Sequence, residues 1–131
     1  MKLAKFIIFV KMNNDRIPCV AFFCACLNNQ KKTPRCVVSN DTFGISWFKK
    51  VDQPSGRMMV FDFQRRSFFG GKLPQLVDFA EKSIVMLRHE GQMYTGFDFK
   101  TKAAFRIFVV DDVVKIYDFQ TNKSYAFSVK Y

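Results

Sequence analysis

The feature that most constrains the fold is a series of short apolar segments separated by turn residues. The last part of the chain contains four of them, Met93–Phe99, Ala103–Val110, Val113–Phe119 and Lys123–Tyr131. The links between them are two or three residues long, as expected for an antiparallel meander. The 17 Phe and 4 Tyr agree with this pattern, because aromatic side chains suit pleated, half-buried surfaces. The chain is therefore expected to be mainly β.

The same pattern predicts four strands earlier in the chain: Leu3–Met12, Pro18–Leu27, a broken segment over Arg35–Ser39 and Phe43–Val51, and Arg57–Gln64. The apolar run Phe6–Val10 is too short for a membrane span. The run Ile17–Leu27 is followed by Asn28 and Asn29, which continue a span poorly. Both runs are therefore interpreted as core strands of a cytoplasmic protein without a membrane segment.

One helix is predicted, over Leu73–Arg88. Pro74 suits its first turn, and Gly91 would follow its end. Apolar residues recur at helical spacing, at Leu73, Leu76, Val77, Ala80, Ile84 and Leu87. The predicted fold is a single α+β domain over residues 1–131, mainly antiparallel β, with about eight strands in one or two curved sheets and one central helix.

The charge is strongly asymmetric along the chain. Residues 1–72 contain 13 Lys and Arg against 4 Asp and Glu, whereas residues 73–131 contain 8 against 7. Nearly all of the net charge of +10 therefore belongs to the first part, which also contains the one Trp. Basic side chains interleaved with aromatic ones suit a polyanion with stacking faces, so nucleic acid is the first partner to consider. A basic β domain whose lysines only solvate its turns is the simpler alternative.

The pattern aromatic-Asp-Phe-polar occurs at Phe61–Gln64, Phe97–Lys100 and Tyr117–Gln120. Each copy lies at the end of a predicted strand, where the two aromatic side chains would face one way and the Asp the other. The favoured interpretation is a turn device in which the Asp accepts hydrogen bonds from N–H groups of the following turn. Three carboxylates could also bind a divalent metal, but nothing in their spacing brings them together.

The four cysteines, Cys19, Cys24, Cys26 and Cys36, are spaced as C-x4-C-x-C-x9-C. This spacing lacks the paired knuckles of zinc sites, and Cys24 and Cys26 would share one face of a strand. Buried reduced thiols are therefore expected, rather than a zinc site or a disulfide. His89 is the one histidine and would cap the predicted helix. The sequence contains no hydrolase or metalloprotease motif, so no enzyme, cofactor or metal is expected.

The segment Phe69-Gly70-Gly71-Lys72, just before the predicted helix, allows two interpretations. It does not match a Walker loop. The simpler interpretation is a loop that needs Gly at positive φ. The other is a contact between the start of the helix and a nucleic-acid phosphate.

The residues predicted to bind nucleic acid combine cations with aromatic side chains, because cations neutralise phosphates and aromatic rings stack on bases. On a strand, Trp47 and Lys49 share one face while Phe48 and Lys50 share the other. Either Trp47 or Phe48 therefore lies on the binding face and the other in the core. The predicted contacts are Lys31, Lys32, Arg35, Trp47, Lys49, Lys50, Arg57, Arg65, Arg66, Phe68 and Lys72.

The order of four strands, one helix and four strands resembles that of the Whirly and PUR families and of transcriptional coactivators that bind single strands. The resemblance implies a curved antiparallel sheet with a basic and aromatic face toward single-stranded DNA or RNA. It covers nearly the whole chain but rests on element order alone. The Whirly lysine-glycine-lysine-alanine signature is missing, as is the helix that follows the last strand in those folds, so no binding residue is transferred.

The predicted function is non-catalytic binding of single-stranded RNA or DNA with little sequence preference, with RNA slightly favoured. The alternative is a protein-interaction module, such as an inhibitor or adaptor, that binds an acidic partner. A homodimer or higher homo-oligomer is also predicted. The aromatic side of the last strand, with Tyr125, Phe127, Val129 and Tyr131, would need cover that a single helix does not provide.

Overall fold

The computed structural model of the protein describes residues 16–131, in which one helix precedes ten strands. Each strand is antiparallel to the next one in the chain, and the first strand also pairs with the last, so the sheet closes into a barrel. The elements are α1 (Arg16–Asn28), β1 (Cys36–Ser39), β2 (Ile45–Asp52), β3 (Met58–Asp62), β4 (Ser67–Lys72), β5 (Gln75–Asp78), β6 (Ser83–Glu90), β7 (Met93–Asp98), β8 (Ala103–Val110), β9 (Val113–Asp118) and β10 (Lys123–Lys130).

The barrel has two ends, which we name by their turns. The turns β1–β2, β3–β4, β5–β6, β7–β8 and β9–β10 lie at one end. We call this end the Asp rim, because four of the strands that enter its turns finish on an aspartate: Asp62, Asp78, Asp98 and Asp118. The remaining turns and the segment that joins α1 to β1 lie at the opposite rim.

Helix α1 lies inside the barrel. All residues from Cys19 to Cys26 are buried, so the helix is apolar on every side and must be enclosed on every side. The Phe22 ring stacks on Phe48 of β2 at 4.7 Å between centroids, and the Phe23 ring meets Phe69 of β4 edge-on at 5.6 Å. Side chains alone just fill an eight-stranded barrel, so a barrel of ten strands has room for an internal helix.

The predicted strand Pro18–Leu27 is wrong, because this segment forms helix α1. A short continuous apolar run looks the same whether it forms a buried strand or a buried helix. Enclosure by the barrel removes the polar face that would reveal helical periodicity. The expected shared strand face of Cys24 and Cys26 is lost with it. The four cysteines are nevertheless buried and free, as expected.

The predicted helix Leu73–Arg88 is also wrong, because this segment forms the hairpin of β5 and β6. Its apolar residues fit strand alternation as well: Leu76, Val85 and Leu87 point inward, whereas Ile84 points outward. His89 therefore caps no helix. It lies exposed in β6 and its ring stacks on Tyr94 at 4.5 Å.

The predicted fold of about eight strands around a central helix is thus replaced by a closed ten-stranded antiparallel barrel around a helix that precedes the strands. Gly70 and Gly71 lie within strand β4 instead of in a loop before a helix. Both have positive φ, and a Cβ on Gly70 would lie 2.2 Å from the Met58 carbonyl oxygen. The glycines therefore allow β4 to pass close to β3.

The four C-terminal strands and their meander are confirmed, with ends that differ by a residue or so. The predicted strand Leu3–Met12 lies outside the described residues. The side of β10 that carries Phe127 and Val129 points into the barrel, where both residues are buried against the core. The reason given above for self-association is therefore wrong, because the barrel itself covers this face.

Within residues 16–131, no helix is both long enough and apolar enough to cross a membrane.

Candidate functional site

The Asp rim is built from a repeated turn. Oδ1 of Asp62 accepts hydrogen bonds from the N–H groups of Gln64 (3.0 Å) and Arg65 (3.3 Å). Equivalent bonds to Oδ1 of Asp98 and Asp118 come from Lys100 (2.9 Å), Thr101 (3.4 Å) and Gln120 (2.8 Å). These bonds confirm the turn device predicted from the aromatic-Asp-Phe-polar pattern.

A fourth copy, Val77-Asp78-Phe79-Ala80, follows β5. Oδ1 of Asp78 accepts a hydrogen bond from the Ala80 N–H at 3.1 Å. This copy departs from the sequence pattern because Val77 replaces the first aromatic residue and Ala80 the polar one. A pattern that required only Asp-Phe at a spacing of 16 to 20 residues finds all four turns.

Three of the four aspartates also join an ion-pair network beneath the rim. Oδ2 of Asp78 lies 2.7 Å from Nε of Arg16 and 2.9 Å from Nη1 of Arg65. Arg65 Nε also lies 2.7 Å from Oδ2 of Asp62, and Arg16 pairs with Asp98. The network joins the start of helix α1 to three turns, so these carboxylates are brought together by arginines.

Arg65 was predicted to contact nucleic acid, but its side chain is only 10% exposed and lies between Asp62 and Asp78. Asp62 is only three residues away, but Asp78 belongs to the next hairpin and is thirteen residues away. The pairing with Asp78 is not visible in the local sequence. Among the described residues, no cluster of three or more His, Cys, Asp and Glu side chains could hold a metal ion.

Trp47 and Phe68 lie together on the outer surface of the barrel. We define the aromatic face as Trp47, Phe61, Phe63, Phe68 and Phe79, which span β2 to the turn after β5. The Phe61 ring meets Phe63 edge-on at 5.1 Å and Phe68 at 5.0 Å. Backbone hydrogen bonds place the remaining members beside them: the Phe63 N–H donates to the Trp47 carbonyl at 3.2 Å, and the Phe79 N–H donates to the Phe68 carbonyl at 3.1 Å.

Four of these five side chains are largely exposed: Trp47 by 48%, Phe63 by 49%, Phe68 by 42% and Phe79 by 54%. Phe48 is buried against Phe22. Of the two alternatives for this strand, the structure therefore has Trp47 outside and Phe48 in the core.

Two predicted cations lie beside the aromatic face. Lys49 of β2 lies opposite Phe61 of β3 in the sheet register and is exposed. Arg66 lies in the β3–β4 turn, exposed and at a φ of 52°. The Lys50 side chain instead is only 15% exposed, and its Nζ lies 3.6 Å from the exposed carboxylate of Asp52 at the end of the same strand. Burial raises the pKa of the Cys26 thiol to about 12, and the charge of Lys50 opposes part of this rise.

The other predicted cations lie around the opposite rim, away from the aromatic face. All are exposed in the connecting segments or at strand ends: Lys31, Lys32, Arg35, Arg57 and Lys72. Lys31 and Lys32 follow helix α1, where their N–H groups both donate to the Asn29 side chain at 3.1 Å. The predicted residues thus divide into an aromatic face with two cations, a distant basic rim, and two largely buried side chains, Lys50 and Arg65.

Sequence reasoning missed the phenylalanines that follow the rim aspartates. Phe79, Phe99 and Phe119 are 54%, 52% and 43% exposed, like Phe63 at the equivalent position. The rings of Phe99 and Phe119 rest edge-on against Phe97 and Tyr117, at 5.0 Å and 4.7 Å. The Asp-Phe pair in the sequence is a sufficient signal for these exposed rings, although the turn device explains only the Asp.

Comparison with known proteins gives no match: no protein-family model, curated protein or solved structure is similar to the chain. The comparisons do not test the resemblance to the Whirly and PUR families, and the element order on which it rested differs from the observed order of one helix and ten strands. The site must be interpreted from its own chemistry.

Proposed function

We propose that the protein binds single-stranded nucleic acid without catalysis, and that the aromatic face with Lys49 and Arg66 is the contact surface. The observation that carries this proposal is the group of half-exposed rings around Phe61, which includes the one Trp of the chain. Rings held side by side on a sheet offer stacking platforms for unpaired bases, whatever the base sequence.

The packing of the barrel supports an outer binding surface. Helix α1 occupies the interior, and the residues from Cys19 to Cys26 are buried there. A ligand would have to displace this helix to enter. The outer surface, by contrast, keeps large apolar side chains in water at a cost of roughly 25 cal/mol per Å² of apolar area. Exposed apolar groups of this extent favour a binding role.

The charge supports a polyanion as the partner. The chain carries a net charge of +10, and Lys49 and Arg66 flank the aromatic face. Cations that neutralise phosphates release counterions, which drives binding and makes it sensitive to salt. Unpaired RNA is slightly favoured over DNA, because sequence-tolerant aromatic surfaces commonly bind unpaired RNA bases. The buried free thiols are compatible with the reducing cytoplasm that we propose as its location.

Self-association remains a separate proposal. Because the barrel is closed, a second copy would have to use an outer face and not a strand edge of the described sheet. Light scattering decides it, since a mass of 15.3 kDa at tens of micromolar protein contradicts a dimer.

The experiment is a fluorescence-anisotropy titration with labelled 12-nucleotide oligo(U) and oligo(dT). Trp47→Ala and Phe68→Ala should each weaken binding by 5- to 150-fold, because stacking contributes about 1–3 kcal/mol per base. Fluorescence of Trp47 in the wild-type protein should be quenched by the unlabelled oligonucleotides.

The matched control is Phe108→Ala. Phe108 lies on the outer surface of β8, on the opposite side of the barrel from β3, and is 40% exposed. It should bind like the wild type. Lack of binding at low salt would overturn the proposal. Equal losses in all three variants would show that the aromatic face is not the contact surface. Equal competition by polyglutamate would favour an acidic protein partner instead.

A further inference from the structure

The turns of the Asp rim repeat a second feature besides the aspartate. Four residues after Asp62, Asp78 and Asp98 stand the exposed cations Arg66, Lys82 and Lys102. The backbone φ angle is nearly the same at these positions: 52° for Arg66, 52° for Lys82, 57° for Lys102, and 55° for Asn122 in the fourth turn. Each turn except the last thus presents an exposed Phe and an exposed cation.

The turns do not need these cations for their own stability. A positive φ is unfavourable for Arg and Lys, whereas Gly or Asn adopts it readily. Only the fourth turn has the expected residue, Asn122. Among the described residues, none of the three cations lies within ion-pair distance of a carboxylate, so no salt bridge compensates this strain. Residues that keep a strained backbone conformation, although no contact within the protein compensates the strain, indicate a functional role.

We propose that part of the Asp rim is a track for single-stranded nucleic acid, in which each of the three hairpins β3–β4, β5–β6 and β7–β8 supplies one stacking Phe and one phosphate-binding cation. This inference rests on the proposed function and extends its site from the aromatic face to Lys82, Phe99 and Lys102. The nucleic-acid strand passes from the β3–β4 turn over the β5–β6 turn to the β7–β8 turn. Its phosphates follow the cations while its bases meet the rings.

The spacing of the turns favours a single strand over a duplex. Consecutive rim turns are two strands apart, about 10 Å. Bases in a duplex strand are about 3.4 Å apart and stack on each other, so they cannot reach rings at this spacing. A flexible single strand can separate its bases and place each one on a protein ring.

The surface between the second and third turns has room for a base. A cleft of about 520 Å³ lies there, lined by Ile84, Phe99, Lys82, Lys100, Glu81 and Ser83. Lys100 and Glu81 hold its edges together through an ion pair of 2.5 Å. The apolar floor of Ile84 and Phe99 suits a base, and Lys82 suits the neighbouring phosphate.

The test uses the substitution that the chain itself provides in its fourth turn. Arg66→Asn, Lys82→Asn and Lys102→Asn remove a cation while keeping a residue that suits positive φ. Each should weaken oligo(U) binding by about 3- to 10-fold at low salt and lower the slope of log affinity against log salt by about 0.7. Each should unfold at the same urea concentration as the wild type or higher, because Asn adopts a positive φ more readily than Arg or Lys.

Lys115→Asn is the control, because Lys115 is an exposed cation on the outer surface of β9 outside the rim turns. This variant should leave the affinity and the salt slope nearly unchanged.

The length of the track is tested with oligonucleotides of 2 to 12 nucleotides. The affinity should rise with length up to about 4 to 8 nucleotides and then level off, near the lower end of the range for single small barrels.

The outcomes separate the two proposals. If Trp47→Ala weakens binding while Lys82→Asn and Lys102→Asn leave both affinity and salt slope unchanged, the track is wrong and the aromatic face stands. If the wild type binds neither oligo(U) nor oligo(dT) at low salt, the proposed function fails and the track with it. An effect of Lys115→Asn as large as that of Lys82→Asn would show diffuse electrostatic attraction and overturn the track.

Discussion

Asp62 and Asp78 each divide their two oxygens between two tasks. Oδ1 accepts N–H groups of the turn that follows, whereas Oδ2 accepts from Arg65 in Asp62 and from both Arg16 and Arg65 in Asp78. A buried carboxylate is stable only when its hydrogen-bonding capacity is satisfied, and this division satisfies both oxygens. The same residue type thus closes the hairpins and anchors the helix that the barrel encloses.

Asp78 and Asp118 provide a matched pair for testing this division. Asp78→Ala should lower the free energy of unfolding by about 3–5 kcal/mol, because it removes one carboxylate from two buried guanidinium groups. Asp118→Ala should cost only about 1 kcal/mol, because Asp118 accepts a turn N–H but pairs with neither arginine of the network. Urea denaturation measures both values. Equal losses would show that the network contributes little beyond closing the turns.

The buried acids of the core predict sensitivity to alkali. Burial raises the pKa of Cys26 to about 12 and also raises the pKa of Tyr94 to about 12. In the unfolded chain these groups ionise near pH 8.5 and 10. The unfolded chain therefore loses protons first, so stability is constant below about pH 8.5 and falls as the pH rises toward 12.

Urea midpoints measured in reductant between pH 7 and 11 test this expectation. For each fully responding group, the free energy of unfolding should fall by up to about 1.4 kcal/mol per pH unit. Tyr94→Phe should flatten the curve above pH 10, at the cost of the 3.3 Å hydrogen bond from the Tyr94 hydroxyl to Asn28. A stability that stays level to pH 11 would contradict the burial of these groups.

At the level of helices and strands, local pattern sufficed for the C-terminal meander, in which one face of each strand meets water. The strands from β7 to β10 alternate between the barrel interior and solvent, so their periodicity and short turns predicted them. Helix α1 has no wet face, and the β5–β6 hairpin happens to repeat apolar residues at helical spacing. Both errors arise because the environment of these segments is set by distant strands.

In the candidate site, too, local sequence predicted some residues, whereas the positions of others depend on distant strands. Trp47, Lys49, Arg66 and Phe68 were predicted from the local mixture of aromatic and basic residues, and the strand register places them on neighbouring strands and the turn between them. Arg65 has the same local sequence as Arg66, but it turns inward because Asp78 comes from another hairpin. Proximity created by the pairing of β4 with β5 depends on a strand register that spacing along the chain does not give.

For the molecule as a whole, the enclosed helix makes the barrel and its core one cooperative unit. The helix cannot leave without exposing an apolar surface on all sides, and the barrel cannot keep its interior filled without the helix. Helix and sheet should therefore unfold together. The fluorescence of Trp47 reports on the outer surface of the barrel, while far-UV circular dichroism reports on the secondary structure of the whole chain.

The two signals should give coincident urea transitions, as a two-state protein requires. Phe22→Ala should shift both transitions together and lower the free energy of unfolding by about 3–5 kcal/mol, because it leaves a cavity against Phe48. Phe99→Ala is the matched control: this ring is 52% exposed, so its loss should cost well under half as much. If Phe22→Ala left the Trp47 transition unchanged while it altered the circular dichroism, the barrel would be stable without its helix, and the enclosed helix would be an independent element.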